Sequence, residues 1–219
     1  MDHPTIYGYG LWPVVIGNVL FMSFLLFSVF RPRTKTDWKS IGALSAFFVA
    51  LFTEMFGFPF TIYLLSSWLG KKYPAVDPFS HNNGHLLKVF FGESPLISFA
   101  VHPGTDILLI LALVIISVGW RKIHSGRGEL VTEGIYKYIR HPQYTGFFLI
   151  IISFLVQWPT LVTLIMAPVL VCMYRYLARK EEQQLLELFG ENYRQYMRTT
   201  NRFFPSVASL RDWLSTLFR

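Results

Sequence analysis

Charge and cysteine are what this sequence has least of. Only 15% of its 219 residues are charged, against roughly 25% in soluble domains, and its one cysteine, Cys172, excludes an intrachain disulfide framework. No Lys or Arg precedes residue 31, so the first apolar run lacks the basic leader of a cleaved signal peptide and is expected to be a resident helix. No strand-like run leads into a G-x-G-x-x-G loop, and the Rossmann way of holding a dinucleotide is therefore not written here. Internal repeats and low-complexity segments are absent too, which excludes a solenoid.

Apolar residues make up 53% of the chain and aromatics 17%, a membrane composition. A net charge of +7 would suggest nucleic acid in a soluble protein. Here its placement along the chain assigns it to the membrane surface, and no nucleic-acid partner is expected. Leu11 to Phe30 is twenty residues without a charge, enough at about 1.5 Å per residue to cross a hydrocarbon core of about 30 Å. A second apolar run, Ser40 to Leu69, is longer than one span needs and carries Glu54, Gly57 and Pro59 near its middle, which predicts strong tilt or a break at 57–59. A third span is expected at Asp106–Trp120, a fourth at Thr145–Trp158 and a fifth, interrupted by Pro168, at Thr160–Leu177. Lys and Arg fall four in the loop after the first span, five between the third and fourth, eight from Arg175 onward and three in the long loop 71–105. Seventeen of twenty thus lie on one side, which by the positive-inside rule puts the N-terminus outside and the C-terminus in the cytoplasm.

The expected fold is all-α, a transmembrane helical bundle of about five spans with cytoplasmic amphipathic helices at its C-terminal end. Three regions follow: 1–120 with an outer loop at 71–105, a core at 121–205, and a tail at 206–219 whose stripe of Val207, Leu210, Trp213, Leu214 and Phe218 reads as an interfacial anchor. In the segment before that tail, Leu185, Leu186, Phe189, Tyr193, Tyr196 and Met197 recur at helical spacing, with Gly190 as a stop between two helices.

Two polar stretches flank the last hairpin. Arg140-His141-Pro142 precedes the fourth span, with Pro142 suited to the first helical turn, so the Arg-His pair sits at a helix N-terminus that favours an anionic group. Glu181 and Glu182 leave the fifth span on the same side. Together they suit a small zwitterion such as an amino-acid-like nucleotide; juxtamembrane charges meeting headgroups and one another are the plain alternative. Glu54, a carboxyl within a span, is either functional or a protonated group bonded to a neighbouring helix. His81, His85 and His102 admit a zinc site only if His-x3-His were helical, and the intervening Asn-Asn-Gly argues for ordinary loop or cap histidines, with no metal expected.

The pattern G-x-Y-x-x-x-R-H-P-x-Y-x-G from Gly134 to Gly146, followed after the hairpin by E-E-x-x-L-x-x-x-F-G-x-x-Y-x-x-Y from Glu181 to Tyr196, resembles the isoprenylcysteine carboxyl methyltransferase family, whose architecture membrane phospholipid and small-thiol methyltransferases share. The resemblance covers Val131 to Pro205. It implies an integral membrane methyltransferase that uses S-adenosyl-L-methionine, with Tyr136, Arg140, His141, Pro142, Tyr144 and Gly146 on one side of the cofactor pocket, Glu181 and Glu182 on the other, and Tyr193 and Tyr196 closing it. Arg202 matches a basic position near cofactor or substrate, and Glu54 is a candidate base for an amine acceptor. The methyl acceptor would be lipophilic or small, a prenylcysteine carboxylate, a thiol or a lipid amine, reached among membrane lipids. The membrane would be the inner membrane of a bacterium or the endoplasmic reticulum of a eukaryote. A membrane reductase of the sterol type using NADPH and a non-enzymatic membrane protein are the competing readings.

Overall fold

The computed structural model describes residues 9–29, 32, 34–69, 84–92, 94–126 and 128–206. Eight α-helices account for most of them: α1 (Trp12–Val29), α2 (Lys35–Phe52), α3 (Phe60–Leu69), α4 (Leu86–Phe91), α5 (Pro95–Val101), α6 (Pro103–Ser125), α7 (Pro142–Gln157) and α8 (Leu161–Thr199). No strand occurs among the described residues, only an isolated parallel bridge between Ile139 and Asn201. Helices over Lys35–Gly57, Pro95–Ile123 and Leu161–Thr199 are long and apolar enough to cross a membrane, and two shorter apolar helices cover Trp12–Ser28 and Pro142–Gln157. The chain is a membrane protein of helical-bundle type. The expected anchor stripe from Val207 onward, and most of the outer loop with His81, lie outside the described residues.

The chain forms two compact units, residues 1–109 with 151–171, and residues 110–150 with 172–219. In the first, α2 opens on a capping box in which Thr34 Oγ1 accepts from Asp37 N at 3.1 Å and Asp37 Oδ2 accepts from Thr34 N at 2.9 Å. The helix therefore starts five residues ahead of the apolar run, because caps rather than hydropathy set helix ends. It closes in a π-turn, Thr53–Gly57, and breaks at Phe58-Pro59 before α3, as the Gly57 and Pro59 positions lead one to expect. Glu54 is buried there, and its Oε2 accepts from Thr61 N at 2.9 Å. Thr61 Oγ1 in turn accepts from Leu161 N at 2.8 Å at the start of α8, where Thr160 and Thr163 cap each other reciprocally. A freed amide inside an apolar bundle needs such partners. His85 Nδ1 lies 2.8 Å from Gln157 O, and Lys88 Nζ lies 2.9 Å from His102 Nε2. Among the described residues no group of three or more His, Cys, Asp or Glu could hold a metal ion.

Helices α6 and α8 outrun their apolar stretches. α6 spans 23 residues, longer than the 106–120 run, since Arg121 and Lys122 extend a helix as readily as they leave a bilayer. α8 passes through Pro168 without a stop and runs 39 residues in all, from Leu161 to Thr199. Its one interruption is Gly190, whose φ of 52° and ψ of −123° lie where a side chain is strained, so the chain turns there and residues 191–199 run on as a separate helical piece.

In the second unit the helices meet on aromatic and small residues. Tyr144 stacks on Tyr174 at 5.4 Å, Phe147 lies 5.2 Å from the same ring, and Phe148 meets Phe203 edge-on at 5.2 Å. Where lipid replaces water, close packing of this kind holds helices together more than transfer of apolar surface does. Gly146 of α7 is the closest approach: a Cβ there would stand 2.3 Å from Ile116 Cγ1 and 3.0 Å from Ala112 O of α6. Gly146→Ala is expected to lower stability by roughly 1–3 kcal/mol, read as a fall in melting temperature of the detergent-solubilised protein. Adding Ile116→Ala should restore part of it, and a wild-type melt for the single variant would contradict the contact.

Candidate functional site

The second unit carries the site. Residues 138–145 and 197–203 run beside each other: Arg140 N donates to Asn201 O at 2.9 Å, His141 N to Arg202 O at 3.0 Å and Thr145 Oγ1 to Phe203 O at 2.5 Å. The Tyr196 hydroxyl adds a bond to Tyr136 O at 2.6 Å. These backbone pairings place Arg140, His141 and Arg202 around Glu182, which projects from α8.

Glu182 is buried and takes five contacts. Arg140 Nε and Nη2 donate to its Oε1 at 3.0 and 2.8 Å, Arg202 Nε to Oε1 at 3.0 Å and Nη2 to Oε2 at 2.5 Å, and His141 Nε2 lies 3.2 Å from Oε1. Arg140 Nη1 donates to the carbonyls of Met197 and Thr200. Four of the five guanidinium N–H donors of Arg140 are thus committed within the protein. Burial alone pushes the Glu182 carboxyl up, but the hydrogen bonds from His141, Arg202 and Arg140 outweigh it and hold the group well below the usual carboxylate range. For His141, burial opposes the charge, while hydrogen bonds with Glu181 and Glu182 overcome it and raise the imidazole above its ordinary value. Burial, with the nearby Tyr196 and Glu181, pushes the Tyr136 phenol up. Burial and then Glu182 do the same for Tyr193. Both rings are therefore neutral donors and apolar faces, not phenolates.

A cavity of about 290 Å³ adjoins this cluster, near the lower end of the roughly 300–1,000 Å³ of small-molecule sites. Tyr136, Arg140, His141, Glu181, Tyr193 and Tyr196 line it; Glu182, Pro142, Tyr144, Gly146 and Arg202 are not among its lining residues. Pro142 packs on Gly119, Gly146 on α6, and Tyr144 donates to Glu181 Oε1 at 2.5 Å. Arg202 is held by Glu182. Glu54 belongs to the first unit and is not among the lining residues.

Sequence reasoning did not single out Gln143, Glu129, Leu130, Val131 or Leu188, which also line the cavity, and gave Leu185 and Phe189 only as members of a helical stripe and of the second motif. A signal was available for three of these. Leu185, Leu188 and Phe189 stand four, seven and eight residues beyond Glu181, the spacing of one helical face. The polar end of the cavity thus presents a carboxylate and an imidazole, and its body is apolar and aromatic, a combination suited to an organic ligand with a charged head.

Residues 105–187 match the isoprenylcysteine carboxyl methyltransferase (ICMT) family. A stretch of 79 residues is 35% identical to protein-S-isoprenylcysteine O-methyltransferase of Schizosaccharomyces pombe, covering 36% of this chain and 34% of that protein. The similarity accordingly spans about a third of the length of that relative. The family match contains the 134–146 motif and both glutamates, and stops short of Tyr193, Tyr196 and Arg202.

Replacing Glu182 by Gln leaves two arginines and a histidine facing an uncharged amide. Breaking a buried ion cluster in this way costs roughly 3–5 kcal/mol, a fall in melting temperature on the order of 10 °C for a chain of this size. A fall of a degree or less, with the protein still inserted, would show that the cluster does not hold the 197–203 segment.

Proposed function

We propose, from the premise that residues 105–187 are an ICMT-type segment, that this protein is an integral membrane methyltransferase that takes its methyl group from S-adenosylmethionine. The observation that carries the reading is the cavity beside Arg140, His141 and Glu181, with its charged end and aromatic body. Its residues fit the cofactor in kind: Glu181 suits an ammonium or ribose hydroxyls, and the faces of Tyr136, Tyr193, Tyr196 and Phe189 suit a flat base and a cationic sulfur.

The cofactor supplies an electrophilic methyl carbon on a sulfonium. What the chain contributes is orientation and exclusion of water, since an in-line displacement needs alignment more than a covalent partner. Glu181 anchors one end, the apolar residues of α8 shield the cavity wall, and Arg140 and Arg202 hold the surrounding segments in register. The name of the yeast relative favours a prenylcysteine carboxylate as the acceptor. Such a group is already ionised near neutral pH and needs no general base, so Glu54 has a part in proton removal only if the acceptor is an amine. The bias of basic residues supports a cytoplasmic side for the cavity, where the cofactor is found, with the lipophilic acceptor arriving from the bilayer.

Calorimetric titration of the purified protein with S-adenosylmethionine and S-adenosylhomocysteine, with NADPH as control, tests the reading. Saturable binding of both sulfur nucleotides is expected, weakened tenfold or more in Glu181→Gln. Transfer of labelled methyl from the donor to a prenylated cysteine with a free carboxylate should follow. Absence of binding by folded protein would overturn the proposal, and binding of NADPH instead would put a reductase in its place.

A further inference from the structure

The two glutamates that follow one another on α8 are not equivalent, and the group that divides them is His141. Its Nδ1 lies 3.3 Å from Glu181 Oε2 and its Nε2 lies 3.2 Å from Glu182 Oε1. A neutral imidazole has one N–H and one lone pair, so either tautomer would aim a lone pair at a carboxylate oxygen. Only the cation gives both carboxylates a donor.

The surroundings favour that state. From α8 come Glu181 and Glu182; Arg140 precedes the ring in sequence, and Arg202 reaches the same carboxylate from beyond α8. The Tyr144 ring stacks at 5.7 Å and Phe203 lies at 6.1 Å. Both arginines are engaged by Glu182, and among the described residues the imidazole is the cation that Glu181 meets at contact distance. The ring is 3% exposed, so water does not compete for its protons.

We propose that His141 is a positioning residue, held as an imidazolium between the two carboxylates, and that it turns Glu181 toward the cavity as the acceptor for a ligand's cationic or hydroxyl-bearing end. Glu181 Oε1 receives the Tyr144 hydroxyl and Oε2 faces His141; a carboxylate has about four acceptor positions, so two remain. Glu182 has spent its capacity on three cations and is 3% exposed, and it does not line the cavity. His141 consequently acts neither as a base nor as the group that touches a ligand's anion. Its contribution to ligand affinity is complete while the ring is charged and disappears as pH rises through its folded pKa, which lies above the ordinary 6.5. The ligand half of this inference rests on the cofactor reading above; the charge state of the ring does not.

Nitrogen NMR of the full chain in lipid nanodiscs, with labelled histidine, tests the charge state without any ligand. Of the six histidines, His141 is identified by the signal lost in His141→Gln or, should that variant not fold, by the signal that shifts in Glu181→Gln. Two protonated ring nitrogens at pH 7.5 are expected, with a titration midpoint that falls in Glu181→Gln; a neutral tautomer at pH 7 would overturn the proposal. The second arm measures S-adenosylhomocysteine affinity against pH. A drop of tenfold or more at the midpoint seen by NMR is expected, and an affinity indifferent to that midpoint would remove the positioning role. If the ring titrates as described while the nucleotide binds at no pH, the imidazolium stands and the cofactor reading is what fails.

Discussion

Glu182 accepts hydrogen bonds from two arginines and faces a histidine while almost wholly buried, and the order of the second unit depends on that one carboxylate. Its three cationic partners come from two stretches of chain, Arg140 and His141 from one and Arg202 from the other. Buried ion clusters give little net stability, because desolvation offsets most of the attraction, yet breaking one is strongly unfavourable. The consequence is registry. Residues 197–203 lie on 138–145 in one alignment only, since any slip would strand a charge. Backbone bonds from Arg140 and His141 to Asn201 and Arg202 follow from that alignment, and with them the placement of Tyr196 beneath Tyr136.

Helix geometry then separates two neighbouring glutamates into two roles. Successive residues of an α-helix point about 100° apart, so Glu181 and Glu182 leave the helix in different directions. The structure gives Glu182 to the ion cluster and Glu181 to the cavity, with His141 between them. Under the proposed reading, methyl transfer by displacement would require little of the protein beyond holding two groups in line, and a cavity whose polar end is fixed by a buried cluster would be a means of doing so.

Glu54 shows a different use of a carboxyl in an apolar setting. The break at Phe58-Pro59 leaves backbone amides without helical partners, and Glu54 Oε2 takes one of them, that of Thr61. The π-turn that precedes the break brings the side chain to that amide. Oε1 finds no partner among the described residues. The acid and the proline belong together: the same interruption that shortens α2 supplies the donor that makes burial of Glu54 tolerable.

What the sequence determined by itself was whatever depends on composition, run length and local spacing. Apolar runs of Leu11–Phe30 and Ser40–Leu69 marked membrane helices, Gly57 and Pro59 marked the break, Gly190 marked the turn in the last helix, and the paired motifs brought Arg140, His141 and Glu181 to one place. Tertiary structure decided which of the motif residues face the cavity. Pro142, Tyr144 and Gly146 share a motif with lining residues, and in the folded chain Pro142 and Gly146 pack against α6 while Tyr144 bonds to Glu181. Arg140 reads as half of an anion-favouring pair and Arg202 as a basic position near cofactor or substrate, and only the folded chain shows both donating to Glu182. A linear sequence records which groups are available; how many of their hydrogen bonds are already used depends on neighbours brought from forty to sixty residues away, and no local pattern encodes that.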